Sequence, residues 1–213
     1  AAIRSFYKYL TSKAKLISEN PMQDLDSPRL KKSLPRYLSL DESIQLLEAV
    51  DEPNQARDYC ILTLFLNCGL RVSELVGLNL TDFQGDTVRV TGKGDKDRQV
   101  YFSVRARLMV QEYMVSRKGG TGLFVSSKSP YEPLKPRAIQ RIIRAISERA
   151  GLEKHVHPHL LRHTFATHAL NGGMDVTVIQ KLLGHEDVST TQIYAEMSDE
   201  TIKHQYNKYV AAN

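Results

Sequence analysis

Apolar side chains recur at helical spacing along most of this chain, and the breaks in that rhythm mark its turns. Ile3, Phe6, Tyr7, Leu10, Ala14 and Ile17 predict an amphipathic helix over residues 3–18. A polar stretch follows, punctuated by Asn20-Pro21, Ser27-Pro28 and Leu34-Pro35 and carrying Lys31-Lys32. Proline disfavours helix at the residue before it, so this stretch reads as an extended linker. One amphipathic helix cannot enclose a core, so residues 1–20 are expected to be a packing arm or the end of a domain. A start at Ala1 rather than Met suggests a fragment.

Beyond the linker, Ser39-Leu40-Asp41-Glu42 is a capping box, with Ile44, Leu47 and Val50 as the expected buried stripe of its helix. A helix over about 55–68 is nearly all apolar on Tyr59, Leu62, Phe65 and Leu66, which predicts a central position, and Gly69 ends it. Residues 87–91 and 98–102 alternate as strands of a hairpin whose tip, Gly92-Lys93-Gly94-Asp95-Lys96-Asp97, is glycine-rich and basic. Helices are expected at about 104–117, 137–150, 158–171, 176–183 and 190–196, with a short strand at Leu123-Phe124-Val125. The predicted fold class is mainly α with a small antiparallel β-sheet, an α+β domain over 37–213 that ends in a tail helix.

Composition narrows the class. With 213 residues, 41% of them hydrophobic and 25% charged, the chain can bury a real core in one large domain or two small ones. The net charge of +5 is unevenly spread: residues 128–168 hold eight basic and three acidic side chains, whereas 41–58 hold one and six. Clustered basic segments point to a polyanionic partner. Cys60 and Cys68 offer neither a disulfide framework nor zinc spacing, and read as buried, reduced thiols of a cytosolic protein. No apolar run approaches the roughly 18 residues of a membrane span, and no signal peptide opens the chain.

The densest chemistry lies between His155 and His168, which holds five of the seven histidines. Pro158 suits a first helical turn, after which His159, Arg162 and His163 stand at i, i+3 and i+4 on one face. His159 and His163 have the spacing of helical zinc ligands, but Leu160-Leu161-Arg162 stands where a general-base glutamate is needed. A guanidinium beside a dication is repelled, so no metal is expected. A solvated helix with satisfied histidines is the plain alternative.

Elsewhere, Arg71 and Glu74 stand three apart at the start of a short helix, in isolation no more than a surface pair. Leu182-Leu183-Gly184-His185 ends a helix, and nine residues later Tyr194 lies in a short helix capped near Ser189-Thr190. Arg137, Arg141 and Arg144 fall on one side of a helix and suit backbone phosphates.

Taken in order, Arg71, a lysine on a hairpin tip, His159, Arg162, Leu-Gly-His185 and Tyr194 resemble the tyrosine recombinase (integrase) family. The likeness is to its Xer-type and transposon-integrase branch. It is carried by "GLRVSELVGL", "HPHLLRHTFATH" and "LLGHEDVSTTQIYAE" and spans about residues 37–200. Residues 1–36 then resemble the last helix and linker of that family's core-binding domain.

The resemblance implies a site-specific recombinase that cleaves and rejoins DNA through a 3′-phosphotyrosyl ester, without metal, ATP or other cofactor. It makes Tyr194 the nucleophile, His159 the base and Lys93 the acid for the leaving 5′ oxygen, with Lys96 a rival on the same tip. Arg71, Arg162 and His185 then bind the phosphate oxygens, since guanidiniums offer forked donors and keep their charge. Glu74, an anion, suits an orienting role. Lys96, Arg98, Arg137, Arg141 and Arg144 are expected DNA contacts. The expected partners are a double-stranded recombination site and further copies of the chain, a tetramer joined through the tail at Ile202, Tyr206 and Tyr209, the alternative being that this tail folds back on its own domain. The expected location is cytoplasmic, at the nucleoid. A type IB topoisomerase, a non-catalytic DNA-binding module and a metal-dependent hydrolase are the rival readings.

Overall fold

Helix α3 (Gln55–Cys68) has almost no polar face to offer solvent. Cys60, Ile61, Leu62, Leu64 and Phe65 are completely buried in it, and the larger part of the molecule is arranged on it. The computed structural model describes residues 2–23, 25, 37–85, 87–91 and 97–184. The chain divides into two units, Ala1–Leu34 and Pro35–Asn213.

In the first unit, α1 (Ala2–Ser12) buries none of its residues and ends six residues short of the expected 18. The Thr11 and Ser12 hydroxyls donate back to the Tyr7 and Lys8 carbonyls, a bond that competes with helix propagation.

The second unit opens with α2 (Leu40–Glu48), and its capping box is complete. The Glu42 N–H donates to Ser39 Oγ at 3.1 Å and the Ser39 N–H to Glu42 Oε2 at 2.7 Å. Of the expected stripe, Val50 is buried and Leu47 packs partly buried against the core, but Ile44 is exposed, and Ser43 and Leu46 point inward beside them. After α3 the chain forms α4 (Val72–Gly77), a single 3₁₀ turn at Leu80–Asp82, and the strands β1 (Phe83–Gln84), β2 (Thr87–Thr91) and β3 (Asp97–Tyr101). The sheet is antiparallel in the order β1-β2-β3, with Val88 opposite Val100 and Val90 opposite Arg98. β1 adds a strand that the alternation did not announce, because two residues are too short for a periodic signal.

Helices α5 (Val104–Ser116) and α7 (Pro158–Asn171) are the main packing partners of α3. Leu123-Phe124-Val125, expected as a strand, is buried but makes only isolated bridges on either side, Asn79 to Gly122 and Val125 to Pro133. Helix α6 (Pro136–Arg149) buries Ile139, Ile143 and Ile146 and leaves Arg137, Arg141 and Arg144 exposed. Helix α8 (Val176–Leu183) starts at Asp175, whose carboxylate accepts the Thr177 N–H at 2.7 Å, and ends at Gly184. The helix expected at 190–196 and the tail helix lie outside the described residues. No helix among the described residues is long and apolar enough to cross a membrane.

Two anchors hold α7 in place. Thr164 Oγ1 accepts the Leu38 N–H at 3.0 Å, and His168 Nε2 meets the Leu38 carbonyl at 2.9 Å. At the other end of α3, Gly69 takes φ +58°, and a Cβ there would lie 2.4 Å from Phe165 Cδ1 and 2.8 Å from Leu183 Cδ2. This glycine therefore sets how closely α3, α7 and α8 approach. Gly69→Ala should lower stability by about 2–4 kcal/mol, from the left-handed backbone penalty and the overpacking together. Urea unfolding checks this: the midpoint should fall with an unchanged slope, and a shift worth less than about 0.5 kcal/mol would contradict it.

Candidate active site

Glu74 sits in the first turn of α4 with its side chain completely buried. It accepts the N–H of Arg71 at 2.7 Å through Oε2, capping α4 from within. Oε1 accepts Arg71 Nη1 at 2.7 Å. Arg98, on β3, brings a two-pronged contact, Nη2 to Oε2 at 2.7 Å and Nε to Oε1 at 3.3 Å. Arg162, on α7, holds its Nη1 3.8 Å from Oε2. Three guanidiniums from three elements thus converge on one carboxylate.

The same three arginines meet the C-terminal end of α8, where helical carbonyls lack partners of their own. Arg98 Nη1 donates to the Leu182 carbonyl, Arg162 Nη2 to Leu183 at 2.5 Å, and Arg71 Nη2 to Gly184 at 2.8 Å. Arg162 Nη1 also donates to the Gly69 carbonyl at 2.6 Å, which ties the end of α3 to the end of α8. Positive charge at a helix C-terminus complements its dipole. Burial alone would raise the Glu74 pKa, but the hydrogen bonds and charge of Arg98 and Arg71 overcome it and hold the carboxyl below its ordinary 4.5.

An open depression of about 850 Å³ lies beside this cluster, lined by Val72, Arg137, Gln140, Arg141, Arg144 and the stretch His155–His159. Val72 is the neighbour of Arg71 in the chain, so the depression reaches the start of α4. His157 caps α7, its Nδ1 accepting the Leu160 N–H at 3.2 Å, which requires that nitrogen unprotonated. Burial, with His155 and His159 nearby, pushes the His157 pKa below its ordinary value, and burial and His159 do the same to His163. The His159 ring itself is exposed at the depression. Arg144 pairs with Glu148 at 2.8 Å in an exposed i, i+4 bridge.

The structure therefore brings Arg71, Glu74 and Arg162 together, and gathers His159 with Arg137, Arg141 and Arg144 around one depression. Lys93, Lys96, His185 and Tyr194 lie outside the described residues. The expectation that Arg98 faces DNA does not match its placement, because its side chain is 12% exposed and turned onto Glu74. Alternation carried the signal: Arg98 shares its face of β3 with the buried Val100. Among the described residues no group of three or more His, Cys, Asp or Glu side chains is placed to hold a metal ion.

The Glu74 cluster has a pH signature. A carboxyl whose folded pKa lies below its unfolded value stabilises the fold above that unfolded value, and the contribution is lost as pH falls through the folded pKa. Glu74→Gln should cost about 3–5 kcal/mol at pH 7, since it leaves buried guanidiniums uncompensated. That gap should narrow as pH drops below 4.5, the ordinary value. Urea midpoints of both proteins between pH 7 and 3.5 measure it, and a constant gap across that range would contradict the assignment.

Residues 36–201 match the phage integrase family. The chain is 44% identical to the tyrosine recombinase XerC of Caldanaerobacter subterraneus subsp. tengcongensis, over 98% of its own length and 60% of that protein's. It thus spans about three fifths of that relative. Its fold is similar to the crystal structure of XerA recombinase, with a TM-score of 0.72 and 30% identity over 98% of this chain and 82% of that one. It is also similar to XerH site-specific recombinase bound to palindromic difH substrate in a post-cleavage complex, with a TM-score of 0.68 and 25% identity over 83% of this chain and 54% of that one. A family match across most of the chain and a shared fold across nearly all of it lead to one conclusion: the chain belongs to the phage integrase family of tyrosine recombinases.

Proposed function

We propose that this chain is the catalytic part of a site-specific DNA recombinase that cuts and rejoins strands through Tyr194. The observation that carries this reading is the convergence of Arg71, Arg98 and Arg162 on the buried Glu74 and on the last carbonyls of α8. Three cations against one anion leave surplus positive charge, held rigidly in a partly desolvated place. That is what a phosphodiester needs as charge builds on its non-bridging oxygens.

In the proposed step, the Tyr194 hydroxyl oxygen attacks phosphorus and passes its proton to His159. The bond from phosphorus to the 5′ oxygen breaks, and that oxygen takes a proton from Lys93, or from Lys96 on the same hairpin tip. Arg71 is the most exposed of the three guanidiniums, at 32%, and faces the non-bridging oxygens, with Arg162 behind it and His185 as a further donor. The phosphotyrosyl ester retains the energy of the broken bond, so a second strand's 5′ hydroxyl restores a phosphodiester without ATP. No step calls on a metal ion.

The partner in this reading is a double-stranded recombination site, its backbone held by Arg137, Arg141 and Arg144. Assembly is proposed as a tetramer on paired sites through the tail after Tyr194, in the cytoplasm at the nucleoid.

The test is a nicked suicide duplex carrying the palindromic difH site, incubated in excess EDTA. A covalent complex that survives detergent is expected from the wild type, and none from Tyr194→Phe at nearly unchanged DNA affinity. A normal complex from the Phe variant, or loss of the wild-type complex on chelation, would overturn the assignment.

A further inference from the structure

We infer that Arg98 is a positioning residue of the recombination site, a tie that holds β3, α4 and the end of α8 in register, and not a DNA-phosphate contact. The inference rests on the recombinase reading above and concerns how its site is held. Arg98 spends its fork inside the protein: Nη2 and Nε on the two oxygens of Glu74 at 2.7 and 3.3 Å, and Nη1 on the Leu182 carbonyl. A planar guanidinium can grip a carboxylate and a carbonyl at once, which a lysine ammonium cannot do with the same geometry.

The neighbouring glycine supports this. Gly184 takes φ +63°, and a Cβ there would lie 2.7 Å from Arg98 Cδ and 3.6 Å from Arg71 Nη1. The chain passes so close to the arginine stem that a side chain would push Arg98 off its carboxylate. Arg98, five residues after Lys93 in the chain, therefore ties β3 to the end of α8, whose last residue Leu183 stands two before His185. It also shares Glu74 with Arg71, so its loss frees the carboxylate to pull Arg71 away from the direction of the phosphate.

Displacements of about 1 Å in a reacting constellation can cost on the order of 100-fold in rate. The expectation for Arg98→Lys and Arg98→Met is a loss of about 10- to 100-fold in the single-turnover rate of covalent complex formation at saturating DNA. The affinity for DNA should stay within about twofold of wild type, and the slope of log affinity against log salt should not change. Arg98→Lys retains a charge beside Glu74 and guards against a variant that does not fold.

The experiment is run on the 213-residue chain with the nicked difH duplex, recording rate, amplitude and affinity at several salt concentrations. Weaker binding with a salt slope reduced by about one charge and an unchanged saturated rate would make Arg98 a phosphate contact and overturn the inference. A reduced amplitude at an unchanged rate would show a role in folding alone and would also overturn it. A wild type that forms no covalent complex would fail the recombinase reading itself, and this inference with it. A wild type that reacts while both variants keep its rate would fail the Arg98 inference alone.

Discussion

The site depends on a buried carboxylate that survives as an anion. Taking a charged Glu74 out of water costs several kcal/mol, and only close, well-aligned partners offset that. Arg71 and Arg98 supply them at 2.7 Å, and Arg162 adds its charge at 3.8 Å. The arrangement works because arginine stays protonated when buried and offers a planar fork of donors, which a lysine ammonium does not. Each guanidinium then has donors left over, and these meet the Leu182, Leu183 and Gly184 carbonyls in turn. One carboxylate and one helix end thus fix three cations from three elements, and a movement of any of the elements would be felt by all.

Two left-handed glycines make this junction possible. Gly69 ends α3 and Gly184 ends α8, and both offer their carbonyls to the arginine cluster, Gly69 to Arg162 and Gly184 to Arg71. Around this rigid centre the charge is divided. The guanidiniums of the cluster are spent on Glu74 and on the carbonyls at the ends of α3 and α8, whereas Arg137 and Arg141 line the open depression that His159 shares. A polyanion would first meet α6 and then, at the start of α4, the more enclosed field around Arg71. In the proposed reaction the first contact would govern affinity and its dependence on salt, and the second the chemical step.

Much of this was legible in the sequence, for reasons that differ by element. The apolar run of α3, the proline start of α7 and the Ser39–Glu42 box are local signals, and the structure follows them closely. Of the stripe expected for α2, Val50 and Leu47 face the core but Ile44 does not, because a few apolar residues at helical spacing leave the edge of the buried face undetermined. The strand expected at Leu123–Val125 is buried without a partner strand among the described residues, and burial alone produces the same apolar run. The site was less legible by spacing. Arg71 and Glu74 read in isolation as a surface pair, yet Glu74 is fully buried, because the arginines that pay its desolvation arrive from β3 and α7. Resemblance to a family found Arg71 and Arg162 together, and it did not find Arg98. Its charge suggested an outward contact, while its alternation with Val100 pointed inward, and the alternation was the better guide.

The central claim is that this cationic cluster exists for the charge of a phosphodiester. It is tested most directly by removing that charge from the substrate. Arg71→Ala should lose most of its cleavage rate on a normal suicide duplex and recover much of it on a duplex whose scissile phosphate is an uncharged methylphosphonate. Equal losses on the two substrates would contradict the account, since they would show that Arg71 serves the fold or the binding of DNA and not the developing charge.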